Sequence, residues 1–476
     1  MTRKHFLLSK TPIEHHSGKV VTISDYYLHL GSELEHTHVD HARIGIHLIG
    51  DIFDWLQPEK TNEELLSVLK AQSLEQLILE FDQFSGEFIV IFQIDEKIFL
   101  FNDACGQKEV YYDADFQAFG SQPSLLGLVA DLRKHEASSS AQDFYTSKTF
   151  NRNLLFVGNS TQFQNVVHLT PNHYIDVHQK EINRFFPLEK LKSRTLQEGA
   201  SQAAKMIRGY VEAVATRKPS KIAVTGGYDS RVLFLASLNS DNCEYFVFRH
   251  KGMSDQHHDI KIPRELTTAF QKEFDVIDDL ETYEVTTDYK DHIDFPRYPK
   301  IDINDVDRSF INGNVSEIAR NFFGYGSWYT AEDLAFISGN SIHPFVVDQY
   351  EQWLKSKPHF ERFGYHVLDM FYWEEKMSNW GAKMKTEAAA LSRDVISPMN
   401  SRALLKTLLS VNRKYRDSHF NKLYDEIIRE LSDGNKAAID LPINPDKKQD
   451  MIRTMKKYRL YNLYRRLGIK TRKLKV

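Results

Sequence analysis

The sequence predicts an α/β protein of two domains, the second built on a doubly wound parallel sheet. Three observations predict it. The chain has 476 residues, more than a single core usually serves. Residues 1–190 are rich in β-branched and aromatic runs bounded by turn residues. From Lys221 onward, short apolar strands alternate with amphipathic helical segments, the pattern of βαβ units.

The strand runs of the first region are 18–24, 44–49, 87–94 and 98–102, with Asp95-Glu96 as a hairpin turn between the last two. Between Glu59 and Phe84 the period changes. Leu65, Leu66, Val68 and Leu69, then Leu74, Leu77, Ile78 and Phe81, recur at helical spacing. Strands and helices mixed in this way predict a layered α/β or α+β domain on a mixed sheet. A boundary is expected at 187–194. Beyond it Thr195 and Glu198 form a capping-box pair. Ala200, Ala203, Ala204, Ile207, Tyr210, Val211 and Val214 follow as one apolar stripe. A strand at 221–225, a glycine loop, a second helix, a strand at 244–248, a helix at 260–272 and a strand at 274–277 complete the alternation. Residues after Tyr365 read as mostly helical. The predicted domains are therefore 1–190 and 195–450, with a tail at 451–476.

Composition narrows the function classes. Hydrophobic residues make up 41% and charged residues 26%, an ordinary soluble globular balance. A net charge of -4 is too mild to imply a nucleic-acid partner for the whole chain. Two cysteines, Cys105 and Cys243, exclude a disulfide framework and a thiol-based zinc site, and they fit a reducing, cytoplasmic setting. Phe6, Leu7 and Leu8 are too short a run for a signal-peptide core, and no membrane span is expected. The tail carries ten Lys or Arg residues and no acid. It reads as a solvated helical end or as a docking arm for an anionic carrier or partner. His15-His16, the group His36, His38 and His41, and His257-His258 match no standard metal spacing and are read as non-ligands.

The strongest motif is Val224-Thr225-Gly226-Gly227-Tyr228-Asp229-Ser230-Arg231. An apolar strand enters it, and an apolar helix (Val232, Leu233, Leu235, Ala236, Leu238) leaves it. Paired glycines let the backbone turn sharply and approach a phosphate without a Cβ clash. The helix N-terminus then faces the anion. Thr225 and Ser230 offer hydroxyl donors, and Asp229 offers a carboxylate to Mg²⁺ beside a pyrophosphate. The alternative is a tight packing turn. The loop is not of the GxxxxGK[ST] type, because no lysine follows its glycines.

This loop resembles the SGGxDS pyrophosphate loop of the ATP pyrophosphatase superfamily, in the variant found in asparagine-synthetase-like proteins, with Thr225 in place of the first Ser. Other segments are similar in the same order. Asn102-Asp103-Ala104-Cys105-Gly106-Gln107 with Val110-Tyr111-Tyr112 resembles the family's "RD…G…LYY" stretch. Phe119-Gly120-Ser121 resembles "FAS", and Val167-His168-Leu169-Thr170-Pro171-Asn172-His173-Tyr174 resembles the "RLxPGH" that closes the first domain. Phe310-Ile311-Asn312-Gly313-Asn314-Val315-Ser316-Glu317 resembles "LSGEGADE". Asp369-Met370-Phe371-Tyr372-Trp373-Glu374-Glu375-Lys376 and Ser397-Pro398-Met399-Asn400-Ser401-Arg402 resemble "YWEER" and "SPFNSR".

The resemblance implies a glutamine-amidotransferase-like αββα sandwich followed by a doubly wound ATP pyrophosphatase domain with a helical C-terminal part. It implies ATP and Mg²⁺ as cofactors. Val224, Thr225, Gly226, Gly227, Asp229, Ser230, Phe248 and Gly313 would contact the nucleotide. Asp229 and Glu317 would hold the metal, and Glu317 and Arg416 would serve catalysis. Tyr372 and Trp373 read as core. In the family a carboxylate is adenylated and an amine then attacks it. Two departures qualify the expectation. Asn314 stands where the family carries a catalytic Glu or Tyr, and Asn is no general base. The glutaminase nucleophile, an N-terminal Cys, is Thr2, and the oxyanion pair Asn-Gly reads Ile49-Gly50. An inactive first domain, as in β-lactam synthetases and lasso-peptide cyclases, is therefore expected. The expected function is an ATP-dependent amide-forming ligase acting on a small-molecule, peptide or polysaccharide-precursor acid, with free ammonia or a substrate amine as nucleophile. The alternatives are a non-catalytic ATP/AMP sensor or scaffold, and, against the scarcity of cysteines, sulfur transfer to RNA.

Overall fold

A computed structural model describes residues 4–14, 18–41, 43–250, 252–278, 293–296, 307–324, 326, 329–390, 393–418, 420–445, 451–452, 454–455, 460 and 467. Thr2, His15-His16 and nearly all of the basic tail lie outside the described residues. The protein is a mixed α/β structure with both antiparallel and parallel sheets.

The first region holds strands β1 (Phe6–Ser9), β2 (Lys19–Ile23), β3 (Tyr26–Leu30), β4 (His36–His41), β5 (Ile44–Gly50), β6 (Phe88–Ile94), β7 (Lys97–Asn102), β8 (Tyr111–Asp113), β9 (Ala118–Gly120), β10 (Val166–His168), β11 (His173–Asp176) and β12 (Glu181–Arg184). They form two six-stranded sheets, ordered β10-β8-β9-β1-β3-β2 and β12-β11-β7-β6-β5-β4. Every pairing in both is antiparallel, so the expected mixed sheet is not seen here. The hairpin turn falls where expected, with Ile94 opposite Lys97 and Asp95 at φ 52, a left-handed conformation that Asp tolerates.

Side-chain alternation sets the layering. Ile89 and Ile91 on β6 join Phe6, Leu28 and Ile98 in the core between the two sheets. Val90 and Phe92 point the other way, into a core shared with helices α1 (Asn62–Ser67) and α2 (Leu74–Phe81). Leu65, Leu66, Leu77, Ile78 and Phe81 are the helical face read from the sequence, and all are buried. Each such side chain contributes roughly 1.5–3 kcal/mol. Thr61 and Ser73 cap the two helices, and Thr61 with Glu64 forms a capping box. The outer face of the first sheet is closed by the short 3-10 helix Ser124–Leu128, through Leu126 against Leu7 and Val166. Two short helices that the sequence reading passed over, α3 (Ser140–Thr146) and α4 (Lys148–Asn153), begin at Ser139 and Ser147, each accepting an N–H from its own first turn.

Helix α5 (Leu196–Arg217) starts at the predicted Thr195–Glu198 capping box and buries the predicted stripe. A Cβ on its Gly209 would sit 2.3 Å from the Trp55 carbonyl oxygen, so glycine is what lets the helix approach the first region there. The second region then forms β13 (Ser220–Ala223), α6 (Tyr228–Ala236), β14 (Cys243–Arg249), α7 (His258–Ala269), β15 (Asp275–Asp278), β16 (Ser309–Ile311) and β17 (Val395–Ile396). All pairings are parallel, in the order β15-β14-β13-β16-β17. Helix α7 starts two residues before the predicted position because the His257 side chain accepts the Asp259 N–H. The later described residues are mainly helical, and include a π-helical stretch, Tyr372–Gly381.

The two regions share one core. A single apolar cluster runs from Ile46 and Phe92 through Tyr210 to Ile222 and Leu405. Polar groups fix the seam. The Asn400 amide accepts from Cys105 N–H at 3.0 Å and donates to the Gly86 carbonyl at 2.7 Å and to Asp103 Oδ1 at 2.8 Å. Asp103 also accepts the N–H groups of Phe88, Cys105, Gln107 and Lys108. Trp373 Nε1 donates to the Ala104 carbonyl at 2.6 Å, and Arg184 grips buried Glu374 across the same seam. Asn400→Leu removes three buried partners at once. Its expected cost is roughly 3 kcal/mol in urea denaturation, borne by one transition that carries both regions together. Two separate transitions in the wild type would contradict the shared core.

Candidate functional site

Chain direction places the glycine loop. Strand β13 is central, and its neighbours leave it on opposite sides, through β14 and β16. In open α/β sheets this divergence opens a crevice outside the carboxyl ends of the strands. Residues 224–227 fill that position between β13 and α6. Val224 is fully buried and donates its N–H to the Phe246 carbonyl. Phe248 lies at the same edge, half-buried and edge-on to Phe246 with ring centroids 5.1 Å apart.

The hydroxyls expected to reach an anion close the loop on itself instead. Thr225 and Ser230 oxygens lie 3.0 Å apart, Ser230 Oγ accepts the Thr225 N–H at 3.0 Å, and Gly227 N–H donates to Thr225 Oγ1. Gly226 N–H donates to Asp259 Oδ1 at 2.9 Å, and the Gly226 carbonyl accepts from Asn444 N–H. The groups left for an anion are those at the start of α6. Gly227 is its N-cap and no side chain caps it, so the first-turn amides face the crevice with the positive end of the helix dipole.

Asp229 sits in that first turn. A Cβ on Gly313 would lie 2.4 Å from Asp229 Cβ, so glycine allows the turn after β16 to press against the loop. The turn passes through Val315 at φ 83, a strained conformation for a β-branched residue. It delivers Ser316, whose hydroxyl donates to Asp229 Oδ1 in a short hydrogen bond, and Glu317. Arg320, which the sequence reading missed, donates to Asp229 Oδ1 and Oδ2 at 2.7 and 2.6 Å. Its guanidinium lies over the rings of Tyr228 and Tyr424 at 5.5 and 5.8 Å. The only local signal was its position one helical turn after Glu317.

Glu317 and Asp229 are neighbours electrostatically. Burial, then repulsion from Asp229, pushes Glu317 up to about 7, against the pull of Arg320 and Lys376. Its Oε2 is closed off from solvent and has no hydrogen-bond partner among the described residues. Burial opposes the charge on Arg320, but Asp229 and Glu317 outweigh it and raise its pKa. Two carboxylates, one with an orphaned oxygen, suit a divalent cation such as Mg²⁺.

Arg416 is not in this group. It is 2% exposed, pairs with Asp369 at 3.0 Å and donates to the Val411 carbonyl at 2.9 Å. Arg413 shares Asp369 and donates to Asn321 Oδ1 at 2.9 Å, so it braces the residue next to Arg320. The arginine expected in catalysis is thus paired with Asp369 inside the fold and is not drawn to Asp229 and Glu317. Asn314 is half-buried, with its side-chain amide 3.8 Å from Met384 Sδ. His257 and His258 nitrogens and an Asp259 oxygen lie within 4.8 Å of one another, near enough for one ion, although their spacing in sequence gave no such sign.

The π-helix approaches from the far side. Tyr372 and Trp373 are core, as read. Tyr372 lies close enough to Glu317 for the charge to help burial raise its pKa. Glu374 is spent on Arg184, Asn172 and Trp353. Glu375 is buried and accepts one N–H, from Gly158 at 3.0 Å. Burial pushes it up to about 8, opposed by the Gly158 N–H and aided by Glu374.

No family model and no curated protein matches the chain. A solved structure described as the allosteric regulatory enzyme of purine biosynthesis is similar over 61% of this chain and 71% of its own, at 9% identity and a TM-score of 0.24. A likeness that slight carries no argument.

Two outcomes follow from these groups. Arg320→Met leaves Asp229 and Glu317 without their countercharge. It is expected to cost roughly 3 kcal/mol in chemical denaturation, the low end for a broken buried pair because Asp229 keeps some solvent. Glu375 holds in the folded state a proton that the unfolded chain releases near 4.5. The folded state therefore binds more protons between about pH 4.5 and 8, and stability falls as pH rises through that window. Glu375→Gln keeps the neutral shape and removes that part of the slope. Urea midpoints of variant and wild type should diverge on going from about pH 5 to about pH 8, in favour of the variant.

Proposed function

We propose that the chain binds Mg²⁺·ATP at the glycine loop and is an ATP-dependent carboxylate–amine ligase of the asparagine-synthetase-like kind. One observation carries the reading. An uncapped helix N-terminus at the divergence point of a parallel sheet faces two carboxylates, one of them with a buried, unpartnered oxygen. On this reading residues 195–450 are a doubly wound ATP pyrophosphatase domain, and residues 1–190 are a degenerate glutamine-amidotransferase-like αββα sandwich. Ile49, in place of the oxyanion asparagine, is wholly inside the core between the sheets, which supports an idle glutaminase. A reducing, cytoplasmic setting belongs to the same proposal; no helix among the described residues is long and apolar enough to cross a membrane.

The chemistry follows from charge. The α6 amides bind the β- and γ-phosphates, and the strand edge at Phe248 borders the base or ribose. A substrate carboxylate attacks the α-phosphorus, pyrophosphate leaves, and an amine then displaces AMP from the acyl-adenylate. Mg²⁺, held by Asp229 and Glu317, would offset the charge of the departing pyrophosphate. Arg320 adds a fixed positive charge beside the same acids and orients Asp229. Asn314 supplies no base, so the amine is deprotonated by another group or by solvent.

A non-catalytic ATP or AMP sensor is the second reading. Arg320 favours it, since the arginine already neutralises Asp229 without a metal. Pyrophosphate release separates the two. The first test is calorimetric titration of Mg²⁺·ATP into the wild type and into Asp229→Asn, which keeps the side-chain shape. Wild-type binding weakened about tenfold or more in the variant is the expected result, the loss of one charged ligand. No heat from the wild type sinks both readings. Binding with no pyrophosphate released in the presence of candidate acids and amines leaves the sensor.

A further inference from the structure

The π-helix Tyr372–Gly381 runs for ten residues, and π-helical turns are frequent at functional sites. Its Glu375, Lys376, Asn379 and Trp380 line a cavity of about 190 Å³. That size suits one small ring better than a drug-sized ligand, for which roughly 300–1,000 Å³ is usual.

The lining is unlike that of a packing defect. Asn379 is 7% exposed, and its Oδ1 is buried with no hydrogen-bond partner among the described residues. Its amide nitrogen is already spent on the Glu375 and Gly158 carbonyls. Native interiors rarely leave such an acceptor unmet, so a donor from a ligand or water belongs there. Glu375, neutral below about pH 8, can both donate and accept. Asn340, also in the lining, spends its amide nitrogen on Tyr350 Oη at 2.9 Å and Ser338 Oγ at 3.3 Å, which leaves its carbonyl oxygen as a second acceptor. Trp380 adds an aromatic platform. The uncharged donors and acceptors of Glu375, Asn379 and Asn340, next to an aromatic face, match hydroxyl groups on a ring, and leave Lys376 as the one cation among the described lining residues.

Lys376 ties this cavity to the phosphate site. Its ammonium lies 5.4 Å from the Trp380 ring centroid, and its charge lowers the pKa of Glu317. A ligand seated in the cavity would thus direct an anionic end past Lys376 toward the acids beside the glycine loop. We propose that this cavity binds the acid substrate, and that the substrate is a hydroxylated ring carboxylate, a sugar acid, with its hydroxyls on Glu375, Asn379 and Asn340 and its carboxylate directed by Lys376. The direction assigned to the carboxylate rests on the ligase reading.

The test is calorimetric titration of D-glucuronate, with D-glucose and hexanoate as controls, on samples also titrated with Mg²⁺·ATP. Glucuronate should bind the wild type more tightly than either control. Asn379→Leu and Asn340→Ala should each weaken it about tenfold, one polar partner lost, while Mg²⁺·ATP affinity stays unchanged. Glu375→Gln, which keeps a donor and an acceptor, should hold glucuronate within about threefold. Glucuronate binding no better than hexanoate, or unmoved in both asparagine variants, overturns the proposal while leaving any ATP binding intact. Glucuronate binding that is lost in those variants, in a protein that takes no ATP, keeps the cavity assignment and removes the ligase.

Discussion

Much of the architecture hangs on one buried carboxylate. Asp103 sits where β7 ends, fully out of water, and collects four backbone N–H groups and the Asn400 amide. Burial pushes its pKa up, while those donors, the Asn400 amide foremost, hold it down. An isolated charge there would be prohibitive, so the loop 103–108 must wrap it. Wrapping fixes where Ala104 and Cys105 present their backbone, and these are the groups that Trp373 and Asn400 bond. The first region is thereby locked to the second through its own turn chemistry. The thiol of Cys105, inside this knot, has its pKa driven well up by burial.

The same economy shapes the crevice. The loop hydroxyls hold the loop, the second glycine leaves the α6 N-terminus open, and Gly313 lets the acidic turn come near. Three carboxyl and guanidinium groups then share one half-buried space, where Asp229 raises the pKa of Glu317 and Arg320 lowers it. Strain at Val315 sits in the middle of this turn, held by full burial of its side chain. Strain held in place by its surroundings is common where a site must be ready before its ligand arrives.

Much of this was legible in the sequence because it is local. The capping box at Thr195, the β-branched and aromatic run of β6 and the glycine loop after β13 are all written in neighbouring residues. The pairing of Asp229 with Glu317 was legible only through the resemblance of the turn motif. What was missed is long-range. Nothing near Arg416 announces that Asp369 will neutralise it, and nothing near Arg320 announces that two tyrosine rings will lie against it. The antiparallel pairing of the first two sheets was missed for the same reason, since strand order is set by partners far along the chain. The π-helix is a further case, because its extra residue per turn has no simple compositional sign.

The seam has a consequence for how the chain is made. Synthesis runs from the N-terminus, so β1 to β12 emerge long before Asn400 exists. Until then Asp103 lacks its amide partner, and the groups that Trp373 and the later helices will cover stand open to water. A nascent first region in that state is a holding form, and exposed apolar surface of this kind invites association with other chains. A gene divided at the boundary would therefore have to deliver both products at the same place and time for the seam to close.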